Sequence, residues 1–335
     1  MNLPLKKDRG WIEFGESYKK KGKGLDAGYK QKKYMEWKNY IVCLVDILGQ
    51  SRKLDELGSI WWETKDSGDV AEKKSKRIAE LTKETYGEVK YFRKLFSDSF
   101  NVLKTFILKD PKMDTLSPVE RAVVTEMATD ICTIRSFSDM IVFYAPLNFA
   151  DDLLTRFRIA AMLYACVCVL IVEFKSGTFF RGGIEIGAGT ELGNGDIYGP
   201  VLGEAHRLEE KVAVYPRIVI GKRLNESIQN EGQESDKGEF LNSVLARVKK
   251  DLFKDICRDD DGQIIVDYLG EGAAELNQSN QSQYSRACSF VQEGMAKVKD
   301  KINEHRKNGE KDLVERYERL LAYYQSRMKY WTGNQ

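Results

Sequence analysis

With 335 residues, 42% of them hydrophobic, the chain is long enough for one large domain or two ordinary ones and apolar enough to bury a core. Its 53 Lys and Arg stand against 51 Asp and Glu, a formal net charge of +2, which argues against a protein that coats nucleic acid, since such domains are strongly basic. Only two histidines, His206 and His305, are present, so histidine-based acid–base or nucleophilic catalysis is not expected, and the six cysteines, at 43, 132, 166, 168, 257 and 288, form no Cys-x-x-Cys pair and read as reduced, buried thiols of a cytoplasmic protein.

Residues 1 to 38 are rich in Lys, Gly and Tyr without a steady period, which predicts a basic N-terminal arm, and they open without the apolar run of a signal peptide. A first strand is expected over 39 to 50, where Ile41-Val-Cys-Leu-Val-Asp46-Ile-Leu-Gly49 sets one carboxylate at the end of an apolar, β-branched run. A long charged helix is expected over about 66 to 110. Ser117-Pro118-Val-Glu120 then has the form of a capped helix start, with the helix running to about Cys132. Ser136-Phe-Ser-Asp139-Met-Ile-Val-Phe-Tyr144 supplies a second carboxylate on a second strand.

The most apolar window, 159 to 174, is too short to span a bilayer and predicts a helix over 153 to 174 buried against a sheet, with no membrane contact. A strand carrying Arg181, a glycine-dense hairpin over 187 to 199, a helix from near Pro200 and a strand after Pro216 follow. Residues 225 to 239 are polar and read as a loop or linker, and 240 to 257 and 284 to 332 look helical. The Asp259-Asp-Asp-Gly262 run looks like the opening of a calcium loop but lacks the carboxylate that would close it. This order predicts an α+β fold, an α/β sandwich whose mixed sheet is flanked by helices, divided as arm 1–38, main domain 39–224, linker 225–239 and a mostly helical C-terminal region 240–335.

An Asp at a strand end is often only a turn former or a helix cap. Two of them on neighbouring strands would instead aim both carboxylates at a pair of divalent cations, the arrangement of metal-assisted phosphoryl chemistry. Further segments favour that reading: Phe179-Phe-Arg181-Gly182-Gly183-Ile-Glu-Ile-Gly187, then Asp196-Ile-Tyr198-Gly199-Pro-Val-Leu-Gly203-Glu-Ala-His-Arg207-Leu-Glu209, then Tyr215-Pro216-Arg217-Ile-Val-Ile220. In their order, residues 39 to 222 resemble the class III nucleotidyl cyclases, and within them the pyrimidine cyclases of bacterial Pycsar anti-phage defence. The Gly-Gly-Asp-Asp or Gly-Gly-Asp-Glu-Phe hairpin of polymerase-related palm enzymes is absent, with Ser138-Asp139-Met140 in its place.

The resemblance implies that Asp46, Asp139 and the Ile47 carbonyl hold two Mn²⁺ or Mg²⁺ ions, and that 39–224 is the cyclase domain. Leu48, Gly49, Gln50 and Ser51 would lead into a helix whose first N–H groups cradle the triphosphate, with Arg52 and Lys53 nearby as either ligands or solvated charges. Arg135 stands where purine-using relatives carry a base-reading Lys, and Asp196 where they carry a base-assisting Asp. Arg207 keeps the transition-state Arg of the family, but Gly203 replaces its Asn, which fits the divergent pyrimidine group better than a purine enzyme. Arg135 offers only donors and so suits O4 of uracil better than the amino group of cytosine. The expected activity is conversion of UTP to cyclic UMP, with a cytidylate cyclase, a purine cyclase and a catalytically silent nucleotide sensor as alternatives. A homodimer with composite sites and an effector that responds to the product are further implications.

Overall fold

The computed structural model describes residues 36–62, 69–109, 111–129, 131–149, 152–193, 195–230, 254–278 and 281–332. Most of the expected basic arm, the distal part of the expected linker and residues 240–253 of the helix expected over 240–257 lie outside them.

The centre of the fold is β1 (Lys38–Ile47), buried on both faces, which is why its sequence reads as a continuous apolar run. Ile41, Cys43, Val45 and Ile47 point to one side and join the main core, whereas Tyr40, Val42 and Leu44 point to the other and pack with Val201 and Ala205. β2 (Thr133–Phe137) and β3 (Met140–Leu147) form a hairpin on one side of β1, and β4 (Phe180–Glu191) pairs with it on the other. The sheet continues through β6 (Ile218–Ile220), with the short β5 (Ile197–Tyr198) paired to the far end of β4. β4 and β6 run parallel, and the other pairings are antiparallel. This is a mixed sheet flanked by helices, the α+β sandwich expected.

One face is covered by α2 (Asp69–Leu108) and α4 (Asp152–Ser176), through contacts such as Phe96 on Phe143 and Phe92 on Phe180. α1 (Gln50–Trp62) leads from β1 and packs on α2. α3 (Pro118–Thr129) opens with a capping box: Ser117 Oγ accepts from Glu120 N at 3.3 Å while Glu120 Oε2 accepts from Ser117 N at 3.0 Å. α4 is longer than expected. Leu154–Ser176 is long and apolar enough to cross a membrane, yet 72% of its most apolar window is buried inside the protein, so its composition is that of a core helix.

The opposite face carries α5 (Pro200–Arg207), a π-helical segment (Leu208–Val212) and α6 (Lys222–Gln229). α6 corrects the expected linker, whose first residues are helical: buried Glu185 of β4 accepts from Leu224 N at 2.8 Å and from Arg223 N at 3.2 Å, capping the helix. The C-terminal region is less purely helical than its sequence suggested. β7 (Ile256–Arg258), where a helix was expected, and β8 (Ile264–Val266) extend the sheet beyond β6. The Asp259 to Gly262 run is the turn between them. Its Asp259 and Asp261 bind the Arg217 guanidinium, which is 1% exposed, so no cation is needed to explain those carboxylates. α7 (Glu271–Gln278), α8 (Gln281–Asn308) and α9 (Lys311–Arg327) close the α4 side, the expected single helix being broken at Gly309 by its φ of +74°.

Glycine in β4 lets α5 and the π segment approach the sheet closely. A Cβ on Gly183 would overlap the Ala205 carbonyl oxygen and lie 2.5 Å from Leu208 Cβ, so α5 and the π segment rest directly on the β4 backbone. Gly183→Ala is therefore expected to cost about 1–3 kcal/mol by overpacking. Gly203→Ala, in open space on α5, should instead gain up to about 1 kcal/mol from helix propensity. Urea denaturation of both variants checks the pair, and a neutral Gly183→Ala would contradict the close packing.

Candidate active site

The C-terminal end of β1 is stitched between two neighbours. Ile47 N–H donates to the Asp139 carbonyl at 3.2 Å, and Leu48 N–H donates to the Phe179 carbonyl at 2.8 Å. Asp139 lies in the two-residue turn between the paired residues Phe137 and Met140 of the hairpin, and Ser138 beside it is the one non-glycine with positive φ, +53°, among the described residues. Asp46 faces Met140 on one side and Arg181 on the other in the strand register. Asp46, Ile47 and Asp139, from segments some ninety residues apart in the sequence, thus meet at one end of the sheet.

The electrostatics of this corner follow from burial. Desolvation is the largest influence on the Asp46 carboxyl and pushes its pKa up; Asp139 pushes it further, against the opposing pull of Arg181 and His206. Arg181 Nε lies 3.5 Å from Asp46 Oδ2 and 2.7 Å from Glu209 Oε1, an ion pair that is not aligned as a hydrogen bond. Glu209 is 3% exposed, and its pKa is likewise raised, first by burial. Two carboxylates, Asp46 and Glu209, therefore share one guanidinium.

The donor set Asp46, Asp139 and the Ile47 carbonyl is all oxygen, which suits hard divalent cations such as Mg²⁺ or Mn²⁺, and the mutual repulsion of Asp46 and Asp139 is what such a cation relieves. Among the described residues no three His, Cys, Asp or Glu side chains form a metal cluster, so the two carboxylates would need the backbone oxygen and ligand oxygens to complete a shell.

Leu48 and Gly49 turn the chain into α1, with Gly49 at φ +87°, and Gln50 and Ser51 begin the helix. The buried Gln50 donates through Nε2 to Glu88 of α2, and Lys53 Nζ lies 2.9 Å from Glu88 Oε1 and 3.9 Å from Glu84 Oε2. Lys53 therefore fixes α1 to α2. Arg52, in contrast, is exposed.

Arg135 and Asp196 meet: Arg135 Nε donates to the Gly195 carbonyl at 3.0 Å and lies 3.6 Å from Asp196 Oδ1. The Tyr144 hydroxyl also donates to Gly195, so the hairpin and the β4–β5 turn are tied together. Register places Arg135 on the sheet face that carries Asp46. Arg207 is not part of this group. It sits at the end of α5, 55% exposed, with Nε 2.9 Å from Glu204 Oε2.

No family model matches the chain, and no curated protein is significantly similar to it. Local sequence assigns no firm role to two residues of the corner, Glu209 and Arg181. The neighbouring Gly182-Gly183 pair was the available signal for Arg181. Glu209 closes the Asp196 to Glu209 segment and continues the buried face of α5, four residues after Ala205 and eight after Val201, but neither signal names its partner.

Behind α1, buried Glu173 of α4 sits with Tyr91 and Ser176 and near Glu88. Burial raises its pKa from 4.5 to about 7. Between those values the folded state holds a proton that the unfolded state has lost, so stability falls as pH rises from about 4.5 to about 7 and then levels. The loss is up to about 3 kcal/mol. Glu173→Gln should flatten this part of the stability curve, which urea melts from pH 4.5 to 8 would show; an unchanged slope would contradict the assignment.

Proposed function

We propose that the chain is a metal-dependent pyrimidine nucleotide cyclase that converts UTP to 3′,5′-cyclic UMP and pyrophosphate, in the manner of the Pycsar anti-phage cyclases it resembles. The observation that carries this reading is the convergence of Asp46, Asp139 and the Ile47 backbone at the mouth of α1. Oxygen ligands beside a helix N-terminus suit a triphosphate with its divalent cations.

In the reaction the 3′ oxygen attacks the α-phosphorus, the bond to the β-phosphate oxygen breaks, and the hydroxyl proton passes to solvent. Two Mn²⁺ or Mg²⁺ ions, held by Asp46, Asp139 and the Ile47 carbonyl, would supply charge neutralisation and a more acidic 3′ hydroxyl. Positioning falls to the protein. The amides of Leu48, Gly49, Gln50 and Ser51 would bind phosphate oxygens at the positive end of α1. Arg135, steadied by Asp196 and the Gly195 carbonyl, would donate to uracil O4.

Arg207 would act across a homodimer, stabilising phosphate charge in the partner's site, for which its exposed place on α5 is suited. The six free cysteines suit a cytoplasmic enzyme whose product acts on a separate effector. A cytidylate cyclase uses the same machinery with a different reader of the base. Gly203, in the place of the family's Asn, favours one reading of another kind, a catalytically silent nucleotide sensor.

The test is incubation of purified protein with each of ATP, GTP, CTP and UTP plus Mn²⁺, with products identified by mass and chromatography. Cyclic UMP is expected, and Asp46→Asn and Asp139→Asn should each lower its formation at least about a hundredfold. Binding of a nucleotide without turnover of any would favour the sensor.

A further inference from the structure

We infer that Glu209 is a positioning residue that holds Arg181 away from Asp46, keeping the Asp46 carboxylate open to a divalent cation; the inference rests on the metal-site reading above. Arg181 is the direct register partner of Asp46 across β1 and β4, and side chains so placed come within contact. Without a competitor the guanidinium would close on Asp46 as a hydrogen-bonded pair. It lies instead 2.7 Å from Glu209 and 3.5 Å from Asp46.

Burying a carboxylate as deeply as Glu209 is costly unless it is paired, so its placement needs an account. Three features produce it. Glu209 lies on the buried face of α5 continued into the π segment, four residues after Ala205 and eight after Val201, while His206 and Arg207 face outward. Gly183 lets that segment rest on the β4 backbone. Arg181 and Glu209 meet as an unaligned ion pair, a contact that holds charge in place without locking geometry. A plain structural staple between α5 and β4 would be served as well by an apolar contact at this position, and would not need a cation shared with Asp46.

The experiment is a double-mutant cycle read by Mn²⁺ binding to the full chain without nucleotide, using electron paramagnetic resonance of free Mn²⁺, with Asp46→Asn as the baseline. Glu209→Gln is expected to weaken binding about tenfold, the size typical of a residue that orients a ligand. Arg181→Gln should not weaken it, and in that background Glu209→Gln should change it less than about twofold, because the competing cation is gone. Equal weakening in both backgrounds would mean simple loss of a nearby charge, and no weakening in either would mean a structural role; each overturns the inference. Glu209→Asp, which keeps the charge, guards against misfolding and should stay within about threefold of wild type. If wild-type protein shows no Mn²⁺ binding sensitive to Asp46→Asn, the metal-site reading fails first and this inference with it.

Discussion

The sharing of one guanidinium between Asp46 and Glu209 is the contact on which the rest of the site depends. Two carboxylates drawn from water into one corner repel each other and each is costly to desolvate, so a positive charge beside them is stabilising until a metal cation takes that part. Arg181 is that charge. Its position follows from the antiparallel register of β1 with β4, and that of Glu209 from the close seat of α5 and the π segment over Gly183. Backbone geometry thus sets the electrostatics here.

The surrounding fold serves to keep that geometry fixed. β1 is apolar on both faces and holds Asp46 at its end, clamped by the hairpin on one side and by Phe179 on the other. α1 is pinned to α2 through Gln50, Lys53 and Glu88, which aims its N-terminus at the same corner. On the neighbouring strand, Arg217, whose carbonyl accepts from Gly182 N beside Arg181, joins the β7–β8 turn through Asp259 and Asp261 to the chain entering β6, so the C-terminal helices and the sheet share one core.

The sequence made the strands of Asp46 and Asp139 legible because both are β-branched runs, and it made α3 legible because Ser117 and Glu120 stand at capping-box spacing. The mixed sheet between helices followed from the order of those elements. Three things were hidden. β7 and β8 are three residues each, too short for a period to show. The Asp259 to Gly262 run matched only the opening of a calcium loop, and only the fold brings Arg217, some forty residues away, to meet its carboxylates. Glu209 and Lys53 are polar residues whose partners lie on other elements, so nothing local names those partners. For the site itself, local pattern pointed to the carboxylates and the family resemblance to Arg135 with Asp196, but neither pointed to the ion pair beside them.

The most direct measurement of the central claim is the crystal structure of the protein grown with Mn²⁺ and a non-cyclising UTP analogue, with anomalous scattering collected at the manganese edge. Manganese peaks bridging Asp46, Asp139 and the analogue's phosphates, with the triphosphate against the start of α1 and the uracil at Arg135, are the predicted result. Manganese absent from that corner while the nucleotide is bound elsewhere would contradict the account.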